Sequence, residues 1–190
     1  LGLTVAGSVL VAQHTGADQL AEAEYAASQT VVFTLLAGLV LGGLGFTFVA
    51  ELLAVFDAAP DVLGLATAYM EIISLGLPFL FGFTVFIALM RGAGDTVTPM
   101  LVMFGTVVLN VAIDPILIFG WGPLPELGVE GAAVATVISR GSAMVAGLWL
   151  MLRGRHGIQI NLEDMWPDLD YSKKLLRIGG PASIENTGRA

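Results

Sequence analysis

Residues 98–120, TPMLVMFGTVVLNVAIDPILIFG, form an apolar stretch with Asn110 and Asp114 inside it. A helix of about 20 apolar residues crosses the hydrocarbon of a bilayer, so this stretch is long enough to span. Four positions make about one helical turn, which puts the amide and the carboxylate on one face. Thr106 carries the polar stripe one turn further back. An acid in hydrocarbon costs roughly 2.5 kcal/mol or more on insertion scales, so such residues usually mark function. The stripe predicts a wet pocket between helices.

The rest of the chain has the same character. It is 56% hydrophobic and 13% charged, with a mean hydropathy of +0.84. Soluble domains carry about 25% charged residues. With water excluded, backbone groups must pair within each segment, so the fold class is all-α, a polytopic transmembrane helix bundle. There is no cysteine, which excludes disulfides and thiolate metal sites. Acidic residues outnumber basic ones 16 to 8. That excess fits acidic water-facing segments in a salt-adapted organism, an acidic patch for a basic partner, or ordinary sampling. No nucleic-acid partner is expected at a net charge of −8. The chain starts at Leu1 rather than Met and reads as an internal fragment of something longer.

Five apolar segments are expected, over 1–13, about 29–56, about 65–90, 98–120 and about 128–152, and a sixth begins near Leu175. The connections are His14–Ser28, Asp57–Gly64, Arg91–Val97 and Trp121–Leu127, followed by a long polar linker, Arg153–Lys174. The basic residues Arg91, Arg153, Arg155, Lys173, Lys174 and Arg177 lie in or beside the third and fifth connections. The second and fourth hold Asp57, Asp61, Glu126 and Glu130 and no Lys or Arg. The excess of positive charge puts the odd connections, including 153–174, in the cytoplasm and the loops 57–64 and 121–127 outside. The first segment then runs inward, so a further helix is expected before it.

Pro99 suits a first helical turn. Pro78 and Pro115 lie inside helices and are expected to kink them, Pro115 directly beside Asp114. Pro115 also frees a backbone carbonyl near Val111. A bent helix offering a free carbonyl and an acid is a common form of transporter site, although a simple packing kink has the same sequence. Gly131, Ala135, Ser139, Ala143 and Gly147 recur every four residues, as do Gly38 and Gly42. Small residues at this spacing signal close helix packing. Thr136, one position off that ridge, either faces a cavity or bonds back to its own helix. Arg140, one turn further on, either snorkels inward or pairs with an acid. Glu51 and Glu71 are read as interfacial and His14 as a surface group. Glu185, just past Pro181, is a second, weaker site candidate.

Five pieces, VAQHTGA (11–17), YMEIISLGLPF (69–79), ALMRGAGDTVTPM (88–100), LNVAIDPILIFG (109–120) and LGVEGAAVATVISR (127–140), occur in order. Together they resemble the multidrug and toxic compound extrusion (MATE) family. The resemblance implies a protein of two six-helix lobes related by a pseudo-twofold axis. Residues 1–152 would be helices two to six of the N-terminal lobe, 153–174 the cytoplasmic inter-lobe linker, and 175–190 the start of helix seven in the C-terminal lobe. It implies a plasma-membrane antiporter that exports cationic or amphipathic small molecules in exchange for Na⁺ or H⁺, with no other cofactor. Its partners would be membrane lipid, the small-molecule substrate and the C-terminal lobe of the same full-length chain. The family's cation site matches Asn110 and Asp114 on one helix and Thr136 on the next, the set that would hold Na⁺. Thr106 joins them as a cavity residue from the stripe itself. The family's further aspartate would lie before Leu1, and Glu185 does not match its second-lobe pattern. The alternatives are a lipid-linked oligosaccharide or polysaccharide flippase of the same larger group, or a channel-like or scaffold protein. An intramembrane enzyme is not expected, since the segments contain no H-E-x-x-H, no G-x-S-x-G and no catalytic acid dyad.

Overall fold

A computed structural model describes residues 2–55, 60–122, 125–154 and 157–187. Asp57, Arg155 and the side chains of Asp61, Pro181 and Glu185 lie outside the described set. The described residues form α1 (Gly2–Gly16), α2 (Leu20–Val55), α3 (Pro60–Gly92), α4 (Val97–Phe119), α5 (Gly128–Leu152) and α6 (Leu169–Thr187), with a short 3₁₀ turn at Leu162–Met165. Within α2 to α5, the stretches Leu20–Leu53, Val62–Gly92, Val97–Phe119 and Gly128–Leu152 are each long and apolar enough to cross a membrane. The helix carrying the opening stretch runs on through Pro115 to Phe119 and ends at Gly120, whose left-handed φ of 68° closes it.

Several helix starts differ from the hydropathy expectation. α2 begins at Leu20 rather than near residue 29, so the first connection shrinks to the turn after Gly16. α3 begins at Pro60 rather than 65, and α6 at Leu169 rather than Leu175. The cause is the same in each case. A helix need not stop where its residues become polar, because backbone pairing continues into water. At 1.5 Å per residue α2 is about 54 Å long, well beyond a hydrocarbon core of about 30 Å. Its surplus end carries Glu22, Glu24 and Tyr25, and it buries Ala23, Ala26 and Ala27.

α3 is the central element, packed against α1, α2 and α5, while α4 lies mainly on α5. The largest buried side chains, Leu10, Phe86, Leu89, Met90 and Met151, cluster where α1, α3 and α5 meet the linker residues Ile158 and Ile160. α4 is different. Phe104, Leu101, Val108 and Val111 are all more than half exposed, an apolar face suited to acyl chains or to further protein.

The two small-residue stripes act as packing surfaces, as expected. All five members of the α5 stripe are buried. A Cβ at Gly147 would sit 2.5 Å from the Phe86 ring, and one at Gly131 only 2.5 Å from the Leu117 carbonyl oxygen of α4. On α2, a Cβ at Gly42 would meet the Ser74 carbonyl at 2.6 Å. That carbonyl lies four residues before Pro78, which has no N–H to give it. The glycine stripe of α2 therefore packs where the proline of α3 has opened the helix. Gly131→Val should lower the thermal stability of the full-length protein by roughly 1–3 kcal/mol, because a backbone carbonyl cannot yield as a side chain can. Gly43→Ala is the control, since its Cβ would meet nothing within 4 Å. Equal melting of the two variants would contradict this account of the α4–α5 contact.

Two polar segments explain themselves locally. Asp95, in the RGAGDT stretch, accepts the N–H of Val97 at 3.0 Å and of Thr98 at 2.9 Å, so it caps α4 just before Pro99. The linker is tied to the surplus end of α2. Gln29, 1% exposed, donates from Nε2 to the carbonyls of Asp164 (2.6 Å) and Trp166 (2.8 Å), and its Oε1 accepts the Asp168 N–H at 3.0 Å. The Ser28 hydroxyl oxygen accepts the Asn161 N–H, and the Tyr25 hydroxyl donates to Asp168 Oδ2 at 2.9 Å. That phenol, helped by the N–H groups of Tyr171 and Asp170, holds the Asp168 carboxyl below its ordinary range.

Candidate functional site

Close packing along the α5 ridge leaves residues just off it facing a gap between α3, α4 and α5. That gap is a cavity of about 210 Å³. Thr106 and Asn110 line it from α4, Phe83 from α3, and Thr136, Ser139 and Arg140 from α5. A second cavity of about 250 Å³ lies on the other side of Thr136 and Arg140, against Tyr69, Ile73 and Gly76 of α3. A third, about 240 Å³, adjoins the first at Thr106 and Ser139.

Of the four residues singled out in the sequence, the structure brings Thr106, Asn110 and Thr136 to one cavity. Asp114 is not in its lining. It stands half-buried one turn nearer Gly120 and is joined to the cavity through Asn110, whose Nδ2 donates to Asp114 Oδ1 over a long 3.4 Å. With the amide nitrogen so engaged, the Asn110 oxygen is left as the acceptor. Both readings of Thr136 hold together: its hydroxyl donates to the Ala132 carbonyl at 3.0 Å and still lines two cavities. Thr106 likewise donates to the Val102 carbonyl at 2.8 Å. Each hydroxyl spends its proton on its own helix and keeps lone pairs for the cavity. The described site therefore sets neutral oxygen acceptors and the Arg140 guanidinium in one cavity, with a single carboxylate at its edge. No group of three or more His, Cys, Asp or Glu residues stands together among the described residues.

Some residues escaped the sequence reading. Ser139 counted only as part of the packing ridge, yet it lines two cavities, and its buried hydroxyl has no hydrogen-bond partner. Tyr69 was seen only as part of a motif. Its one signal is its position next to Glu71 in an apolar segment. Arg140 neither leaves the bundle nor pairs with an acid among the described residues. His14 is half-buried at the end of α1, with Nδ1 hydrogen-bonded to Gln19 Oε1 at 3.0 Å. Glu51 is exposed and Glu71 half-buried.

Helices apolar and long enough to span, with a few polar side chains gathered in small cavities between them, define a multi-pass membrane protein. The chain belongs to the MatE family, whose family model matches residues 1–116. It is 30% identical over 187 residues to the probable multidrug resistance protein YoeA of Bacillus subtilis, covering 97% of this chain and 40% of that one. Over 122 residues it is 41% identical to the probable multidrug resistance protein NorM of Thermotoga maritima, covering 64% of this chain and 26% of that one. It superposes with a TM-score of 0.84 and 28% identity on the solved inward-facing conformation of a multidrug resistance MATE family transporter of the MOP superfamily. That match covers 96% of this chain and 41% of the other. The chain thus spans about two fifths, or less, of the length of these relatives.

Proposed function

We propose that this chain is most of the N-terminal lobe of a secondary antiporter that exports cationic or amphipathic small molecules in exchange for Na⁺ or H⁺. The observation that carries the proposal is the cavity that gathers Thr106, Asn110 and Thr136, with Asp114 bonded to Asn110 at its edge. Asp114 is the group that is neutralised, by a proton or by Na⁺. Na⁺ requires several oxygens, and the Asp114 carboxylate, the Asn110 amide oxygen and the Thr136 hydroxyl oxygen supply three, with a further acid expected before Leu1. Neutralising Asp114 removes the cost of a charge in a low-dielectric site and lets α4 settle differently around Pro115, where the Val111 carbonyl has no helical partner. Rocking of this lobe against a second one then couples cation entry to substrate release. On this view the protein sits in the plasma membrane, with 153–174 cytoplasmic and the loops 57–64 and 121–127 outside, and its partners are lipid, the substrate and the C-terminal lobe. The segment from Arg153 up to the start of α6 at Leu169 acts as the inter-lobe linker, and α6 opens helix seven. The names of YoeA and NorM as probable multidrug resistance proteins support the export reading.

The flippase alternative asks for a strongly cationic groove. Among the described residues lining the first cavity, Arg140 is the one basic side chain, which favours export. The full-length protein in vesicles, loaded with a fluorescent cation, should release dye when a Na⁺ or a proton gradient is imposed and not without one. Gradient-independent efflux under both conditions would overturn the antiporter assignment.

A further inference from the structure

The middle residue of α5 (Gly128–Leu152) is Arg140. A guanidinium at the centre of a spanning helix is costly, and such groups turn inward to a partner or a water-filled cavity. Arg140 lines both the first and the second cavity. No carboxylate among the described residues comes within the 4.0 Å of an ion pair with it. The neighbouring acids are otherwise placed: Asp114 is bonded to Asn110, and Glu71 lines neither cavity. A second observation points into the same space. Ser139 is 1% exposed, lines the cavity beside Arg140, and its Oγ has no partner. Leaving a buried hydroxyl unpaired is unfavourable, so a packing role alone would be better filled by alanine.

We propose that Arg140 and Ser139 form a seat for an anionic oxygen group, a carboxylate or phosphate, borne by an amphipathic molecule. The planar fork of the guanidinium binds such a group through two parallel N–H donors, and the serine hydroxyl adds a third donor. Asn110, its nitrogen turned to Asp114, offers its oxygen to a donor on the same molecule. The cavity therefore takes zwitterions, with the anionic end at Arg140 and the cationic end toward Asn110 and Asp114. This rests on reading the cavity as a substrate site, and it narrows the substrate class to amphipaths that carry an acid as well as a cation. The same chemistry is offered by a free amphipathic acid and by a lipid headgroup phosphate.

The test uses the full-length protein and two dyes that differ by one carboxylate, a rhodamine free acid and its ethyl ester. In detergent, the parent protein should bind the acid about tenfold more tightly than the ester. Arg140→Gln should abolish that preference while still binding the ester, and Arg140→Lys should keep part of it. Ser139→Ala should reduce the preference severalfold while melting no lower than the parent, since it deletes an unsatisfied hydroxyl. Phosphatidylglycerol vesicles that displace the acid from the parent but not from Arg140→Gln would assign the seat to a lipid phosphate. Failure to displace it would assign the seat to the free amphipath. Equal discrimination by the parent and Arg140→Gln overturns the proposal. So does a parent that prefers the ester, or an Arg140→Gln protein that unfolds while Ser139→Ala keeps the full preference, which would make Arg140 the partner of an acid elsewhere in the whole chain. Binding needs no gradient, so a failure of coupled efflux leaves this result readable on its own.

Discussion

Asp114→Asn in the full-length protein should insert and melt like the parent and lose cation-coupled export, with the gradient-driven rate falling at least about tenfold, toward the leak. The substitution is nearly isosteric. The amide oxygen can still accept the Asn110 Nδ2–H, so the 3.4 Å contact that holds this face of α4 survives. What disappears is the charge. A neutral side chain needs no proton or Na⁺ to compensate it, and the step that would couple cation entry to substrate exit has nothing to act on. A tenfold loss corresponds to about 1.4 kcal/mol, a small part of what a carboxylate and a cation exchange in a low-dielectric site. The comparison variant is Asn110→Ala. It keeps the carboxylate and removes the one side chain that links it to the cavity. Export should be impaired but still respond to the gradient, with a weaker apparent cation affinity. Rates of dye efflux under imposed gradients, set against protein level and melting temperature, separate these outcomes. Unimpaired export by Asp114→Asn would remove that residue from the mechanism.

The polar stripe on α4 was readable because helical geometry alone places 106, 110 and 114 on one face. The ridge on α5 was readable for the same reason, and its five small residues are all buried. What periodicity does not carry is how far a helix continues once its sequence turns polar. α2 and α6 each begin several residues early because their polar ends pack on the linker and on α1 rather than on lipid. Nor does it tell which member of a ridge borders a void. Ala135 and Ser139 look alike in a small-residue repeat, yet Ser139 lines the first and third cavities, its hydroxyl unpaired, and Ala135 lines neither. The two options for Arg140 both followed from single-helix thinking, snorkelling along its own axis or meeting an acid. A cavity made jointly by three helices is a property of their packing, and no one of them shows it.

Gln29→Leu should be the most destabilising substitution at the linker, lowering stability by about 3 kcal/mol or more. Leucine fills a similar volume but leaves the carbonyls of Asp164 and Trp166 and the N–H of Asp168 without their partner. Each buried group so stranded costs about 1–3 kcal/mol unless the segment lifts away to find water. Lifting away is the expected response, so residues 161–168 should gain hydrogen exchange while the centre of α3 keeps its protection. Acid should imitate the effect only below the ordinary carboxylate range. The Asp168 carboxyl is held below its ordinary value by the Tyr25 hydroxyl. A carboxyl depressed in the folded state contributes its full stabilisation above the unfolded pKa and loses it only as pH falls through the lower folded value. Tyr25→Phe removes the largest cause of that depression and should bring linker release to a less acid pH. If exchange at 161–168 is the same in the parent and in Gln29→Leu, the buried glutamine is not what fastens the linker to α2, and the aliphatic contacts of Ile158 and Ile160 must hold it instead.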